Sequence, residues 1–333
     1  MSSPSELGSD GFHPAALTRG GHLQTLLGYW YRRPLVERRG ALDLVVEAEP
    51  EVRLLVRADW QEARGERPTL VIVHGLSGSS ESSYCRSLAR LAFARGWNTA
   101  RMNLRGAGAG RALCACSYNA GLDADLVAVL RAVAGLTPRV ALAGFSLGAN
   151  LIALALGRRD EELPGGLLGA AAISPPLELS ACADALDAPR NAFYREYYLL
   201  QLRADYRQRQ QARPDLYEAG RERGTRTIRE FDDRITAPCG GYAGAADYSA
   251  RSSAGPHLAS VRRPLLVLAA DDDPMIPLPS VTRWPLPETG AVVREVTRSG
   301  GHVGFFARSR APGRFWAADR VMDFLAPLAA AGR

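Results

Sequence analysis

Lysine is missing from this chain: all 41 basic side chains among its 333 residues are arginine, against 35 acidic ones, for a net charge of +6. Arginine forks suit phosphate, so an all-arginine chain raises the question of a nucleic-acid partner. No dense basic run supports one, because the richest stretch, 203–213, is diluted by glutamine and aspartate. A compositional bias toward arginine and alanine is the simpler reading, and nucleic acid is not an expected partner. A cysteine framework is also missing. Cys85, Cys114, Cys116, Cys182 and Cys239 are odd in number and follow no disulfide spacing, which fits a reducing, cytoplasmic location. Cys114 and Cys116 find no second Cys or His pair to complete four ligands, so no metal is expected. Residues 1–10 are polar without an apolar core, so no secretory signal is expected. Stretches such as 151–157 and 163–173 are too short to cross a bilayer, and no transmembrane segment is expected. Internal repeats are absent. What remains is a chain with 47% hydrophobic residues, ordinary for a globular protein with a sizeable core.

The pattern that is present alternates short β-type runs with longer helical ones. It predicts a mostly parallel central sheet with helices on both faces. Residues 42–48 and 52–58 read as an opening antiparallel pair. Strands are expected at 69–74, 97–104, 139–145, 167–174, 264–270 and 291–297, and helices at 82–95, 122–134, 147–156 and 314–328. The rhythm breaks at 175–229, which is rich in Tyr, Arg, Gln and Leu with helical spacing and no β-run. An excursion of that kind inside an α/β pattern predicts a helical cap over the carboxyl edge of one domain spanning 1–333, the edge where open α/β sheets bind ligands.

One motif carries chemistry. Gly144-Phe145-Ser146-Leu147-Gly148 follows the apolar run VALAGF and opens the helical run LGANLIALAL. Between strand and helix this pattern makes a strained elbow that lifts the serine hydroxyl clear of the sheet, so Ser146 is the expected nucleophile. It needs a base and an orienting acid, which in this fold follow in the order Ser, acid, His. Of the five histidines only His257 and His302 follow Ser146. His302 lies in a glycine-rich loop after the last strand and is the expected base; His257 sits in a polar loop ahead of a strand. The acid should end the preceding strand, where Asp271, Asp272 and Asp273 stand together. The spacing to Pro277 favours Asp273, with Asp272 the alternative. Asp232 and Asp233 precede a Thr-Ala-Pro turn and read as structural. Oxyanion donors are expected from the amides of Leu147 and Leu76, the latter in the loop after the strand TLVIVH. His74 either braces that loop or meets substrate.

Several segments together resemble one family. They are GGHLQT from Gly20, HGLSGSSESSY from His74, WNTARMNLRGAG from Trp97 and GFSLGANL from Gly144. REFDD from Arg229, AADDDPMIP from Ala269 and GGHVGF from Gly300 complete the set. The chain resembles the AB-hydrolase-4 group of α/β hydrolases, with its YheT-like bacterial hydrolases and mammalian ABHD-type proteins. That resemblance implies a capped single domain with a Ser146–Asp273–His302 triad acting on carboxylic esters, in some relatives acylglycerols or phospholipids. Many mammalian members carry an N-terminal membrane anchor, whereas this sequence begins with a short polar segment. The roles of GGHLQT, with His22 and Gln24, and of REFDD are not derivable from the residues. Arg101 and Arg105 either line the pocket, favouring a substrate carboxylate or phosphate, or form structural salt bridges. The expected function is ester hydrolysis through an acyl-serine, with a small-molecule ester or lipid-like substrate and no cofactor. Acyl transfer by the same triad, or ligand binding without catalysis, are the alternatives.

Overall fold

The apolar run Thr69–Val73 is buried along its whole length, the mark of a strand covered on both faces. The computed structural model describes residues 11–15, 18–30, 41–307 and 315–331. Its elements begin with α1 (Gly21–Trp30), β1 (Ala41–Glu49), β2 (Val52–Asp59), β3 (Thr69–Val73), α2 (Ser83–Ala94) and β4 (Asn98–Met102). Then come α3 (Asp123–Ala134), β5 (Val140–Phe145), α4 (Leu147–Arg158) and β6 (Leu167–Ile173). A helical segment follows: α5 (Leu179–Asp187), α6 (Ala192–Ala212), α7 (Ile228–Phe231), a π-turn at Asp232–Thr236, α8 (Ala237–Cys239) and α9 (Ala245–Ser252). The chain closes with β7 (Leu265–Ala270), α10 (Leu278–Thr282), β8 (Val292–Thr297) and α11 (Trp316–Ala331).

The strands form one 8-stranded sheet in the order β1-β2-β4-β3-β5-β6-β7-β8. Only β1–β2 and β2–β4 pair antiparallel; every other pair is parallel. Alternate residues feed two cores. Leu70, Ile72, Ala141, Ala143 and Phe145 pack with α2, α11 and Phe12 on one face. Val71, Val73, Val140 and Leu142 pack with α3 and α4 on the other. This is the α/β-hydrolase architecture.

The topology places the crevice. From β3 the chain moves outward to β4 and then returns to the opposite side of β3 as β5. The carboxyl ends of these neighbours, with Val73 opposite Gly144, therefore feed loops that diverge from one switch point. Two features differ from the periodicity. Helix α1 has Gly20 and Gly21 at its entry and Gly28 within, so intrinsic propensity hides it. The helical segment after β6 continues past Arg229 to Ser252, because Pro238 and the glycines at 240, 241 and 244 cut its last part into turns too short to show a period.

Candidate active site

Ser146 stands between β5 and α4 with φ 51° and ψ −122°, a region that L-residues rarely occupy. Its neighbours make that possible. A Cβ at Gly148 would come within 2.5 Å of the His74 carbonyl oxygen, and one at Gly144 equally close to the carbonyl of Gly148. The elbow aims the Ser146 hydroxyl at His302, where Oγ donates to Nε2 across 2.9 Å. On the other side of the ring, Nδ1–H donates to Asp273 Oδ2, also at 2.9 Å. This tautomer follows from the carboxylate, which can only accept. The second oxygen of Asp273 takes the amides of Met275 at 2.8 Å and Ile276 at 3.0 Å, which locks the carboxylate's orientation. Asp272 plays a different part. Its Oδ1 accepts the Gly301 amide at 2.8 Å and so holds the backbone of the histidine loop.

Sequence reasoning left GGHLQT without a role, and here it becomes the clamp on that loop. Thr25 Oγ1 accepts the amide of His302 at 2.8 Å and donates to Gly21 O at 2.7 Å. Gln24, fully buried, pairs with both backbone groups of Phe306: its Oε1 accepts the amide at 2.7 Å and its Nε2 donates to the carbonyl at 3.1 Å. Gly21 is required because a side chain there would collide with the carbonyl of Asp272. His22 stacks on Tyr194 of α6 and lies 3.1 Å from its hydroxyl through Nδ1. Helix α1 thus ties the histidine loop to the longest helix over the crevice. The signal was present as a Gly-Gly entry followed by polar residues in an otherwise apolar turn.

The loop after β3 is braced residue by residue. The Gly75 amide donates to the Tyr84 hydroxyl at 3.1 Å and the Ser77 amide to Tyr118 at 2.7 Å. Ser80 donates to Asn103. Between these anchored groups, the amide of Leu76 has no protein acceptor among the described residues, and neither does that of Leu147. Both residues line the cavity in front of Ser146.

Two substrate-contact readings, at His74 and Arg105, need correction. His74 is buried and does not line the cavity: its Nδ1–H donates to Gly75 O at 2.8 Å and its Nε2 accepts the Leu104 amide at 3.1 Å. Burial pushes its pKa down to about 4, so the ring is a neutral brace between two loops rather than a substrate contact. Arg105 is likewise withdrawn from the cavity. Its Nε and Nη2 grip Asp125 at 2.6 and 2.7 Å, and its Nη1 reaches Glu49 at 2.5 Å. Arg101 is spent on Asp59, Ser80 O and Glu81. Of the two readings open for these arginines, structural salt bridging is the one seen, and a cationic lining is absent from both positions. Asp233 caps the start of α9 through the Ala245 amide, a structural role. Asp232, however, lines the cavity, because the π-turn carries it to the inner side of the segment. His257 packs on Gly157, at the end of α4 remote from Ser146.

The cavity over Ser146 has a volume of about 930 Å³, at the upper end of the range for small-molecule sites. Its floor is Leu76, Ser146, Leu147 and His302; its walls come largely from α5, α6, α7 and the π-turn, with Phe193, Tyr194, Tyr197 and Tyr198 prominent. No helix among the described residues is long and apolar enough to cross a membrane.

Comparison with known proteins agrees with this architecture. The profile of the family described as alpha/beta hydrolase fold matches residues 68–308. The chain is 32% identical over 321 residues to YheT of Escherichia coli (strain K12), whose name marks it as a candidate esterase, covering 91% of this chain and 89% of that protein. It is 30% identical to the human phospholipase ABHD3 over 72% of this chain and 59% of that protein. With the monoacylglycerol lipase of Saccharomyces cerevisiae it shares 27% identity over 78% of this chain and 59% of that protein. The esterase Pf2001 of Pyrococcus furiosus superposes with a TM-score of 0.56 at 14% identity, covering 88% of this chain and 98% of that one.

Proposed function

Because the chain belongs to the α/β-hydrolase family, we propose that it is a serine hydrolase that cleaves carboxylic esters through an acyl-enzyme intermediate. The observation that carries this reading is the unbroken hydrogen-bonded chain Ser146–His302–Asp273 opening into a cavity with two unpaired amides. In the proposed reaction Ser146 Oγ attacks the ester carbonyl as His302 Nε2 takes its proton. Asp273 stabilises the imidazolium through Nδ1–H, and the amides of Leu76 and Leu147 meet the charge that develops on the carbonyl oxygen. His302 then delivers the proton to the departing alkoxide. Water, deprotonated by the same ring, attacks the acyl-serine and releases the acid. The largely apolar, tyrosine-rich walls suit an aliphatic acyl chain, which agrees with the lipase and phospholipase names of two relatives.

A fluorophosphonate probe tests the reading. The native protein should label on Ser146, and Ser146→Ala should abolish labelling. The same variant should lower kcat on 4-nitrophenyl butyrate by about 10³-fold or more, with its melting temperature unchanged. A folded native protein that neither labels nor turns over the ester overturns the proposal.

A further inference from the structure

The charged side chains that line the cavity are, with one exception, already neutralised by a partner. Glu81 meets Arg101 and Arg57, while Asp205 meets Arg111 and Arg209. Among the described residues, Asp232 is the lining carboxylate without an ion-pair partner. Arg229 acts on it only at a distance, because its Nη2 binds Asp184 and the Ser180 hydroxyl. The other carboxylate nearby, Asp187, takes the amides of Ile228 and Arg229 and adds like charge rather than relief.

The position is built, not incidental. Asp232 opens the π-turn Asp232–Thr236, and Ile235 and Thr236 line the same cavity. Single π-turns of this kind recur at functional sites, because the extra residue turns a side chain inward. The same lining carries aromatic side chains, among them Phe231, Tyr118 and Tyr248. The Tyr248 hydroxyl accepts the Ala120 amide at 3.1 Å. Removal from bulk water makes a carboxylate without an ion-pair partner costly, and burial, opposed by the Thr236 hydroxyl and the more distant Arg229 charge and reinforced by Asp187, pushes the Asp232 pKa up to about 7. A cation arriving in the cavity would remove that cost, and aromatic faces are themselves good neighbours for a cation.

We infer that Asp232 is a specificity residue, which makes this cavity prefer esters carrying a positively charged group over neutral esters of the same shape. The inference rests on the proposed ester hydrolysis at Ser146 and is opposite in sign to the preference that Arg101 and Arg105 would have given had they lined the pocket. Butyrylcholine and 3,3-dimethylbutyl butyrate form the required pair, since they differ in one nitrogen for carbon and its charge. The wild-type protein should favour the choline ester in kcat/KM by about tenfold, and Asp232→Asn, nearly isosteric, should collapse that ratio toward one. Calorimetric binding of the same two esters to Ser146→Ala reads the preference without turnover. The tenfold difference in Kd should appear there and vanish in Ser146→Ala/Asp232→Asn. A wild-type ratio near one, or a ratio that survives Asp232→Asn in both measurements, overturns the role of Asp232. If the binding preference follows Asp232 while neither ester is hydrolysed, the site preference stands and the hydrolytic reading falls.

Discussion

A serine hydroxyl becomes a useful nucleophile only when one proton acceptor stands at hydrogen-bond distance with its far side held, and at residue 146 both conditions are met by single atoms. The three consecutive aspartates after β7 show how much depends on which atom. Asp273 faces the ring of His302 and Asp272 faces the backbone of the same loop. Asp273→Asn should therefore trap the wrong imidazole tautomer and lower kcat by about 10⁴-fold. Asp272→Asn keeps an oxygen for the Gly301 amide and should lose less than about tenfold. Steady-state kinetics of the two variants on one ester separate the roles, and equal mild losses would remove Asp273 from the acid position. Residue types and chain order were enough to single out Ser146 and His302. For the acid, the spacing to Pro277 favoured Asp273 over Asp272 without separating them fully, because adjacent side chains on a turn differ in direction, and direction is invisible in a string of identical letters.

At the level of elements, α1 is the piece that a periodicity reading passes over. It packs on the histidine loop, where Gly28 lies against Gly304, and on Tyr194 and Tyr197 of α6, so it is helical by virtue of what it packs on. Its function in the site is positional. Thr25→Val keeps the volume but leaves the buried His302 amide unpaired, at a cost of about 1–3 kcal/mol, and frees the loop to move. We expect kcat to fall at least about tenfold with little change in KM, and Thr25→Ser to restore it. Comparing kcat and KM for the three proteins checks this, and a Thr25→Val enzyme with native kcat would confine α1 to a packing role. The π-turn after α7 is the second element hidden from the sequence. Its two aspartates looked equivalent, yet one caps α9 and the other enters the cavity, since a π-turn offsets successive residues around the axis.

At the scale of the whole molecule, the antiparallel edge joins the parallel sheet through the β2–β4 ladder, and Arg105 adds a side-chain bridge across that junction. From the loop after β4 it binds Asp125 on α3 and Glu49 on β1. Arg105→Met would leave Asp125 buried and unpaired, which should cost about 3–5 kcal/mol. Thermal unfolding should register a clear fall in melting temperature, while kcat/KM on a neutral ester, measured well below that temperature, should stay near native because Arg105 does not line the cavity. A loss of activity without loss of stability would return Arg105 to the substrate site. The class of fold was determined by the sequence alone, because alternating apolar periods of strand and helix leave few ways to bury both faces of a parallel sheet. So was the identity of the strained serine, because only a glycine-flanked residue fits that turn. Tertiary structure alone decided what Asp272 holds in place of the ring, which arginines are spent on bridges, and which carboxylate is left facing the cavity. Those outcomes depend on side-chain direction and on partners far apart in the chain, and neither is carried by local spacing.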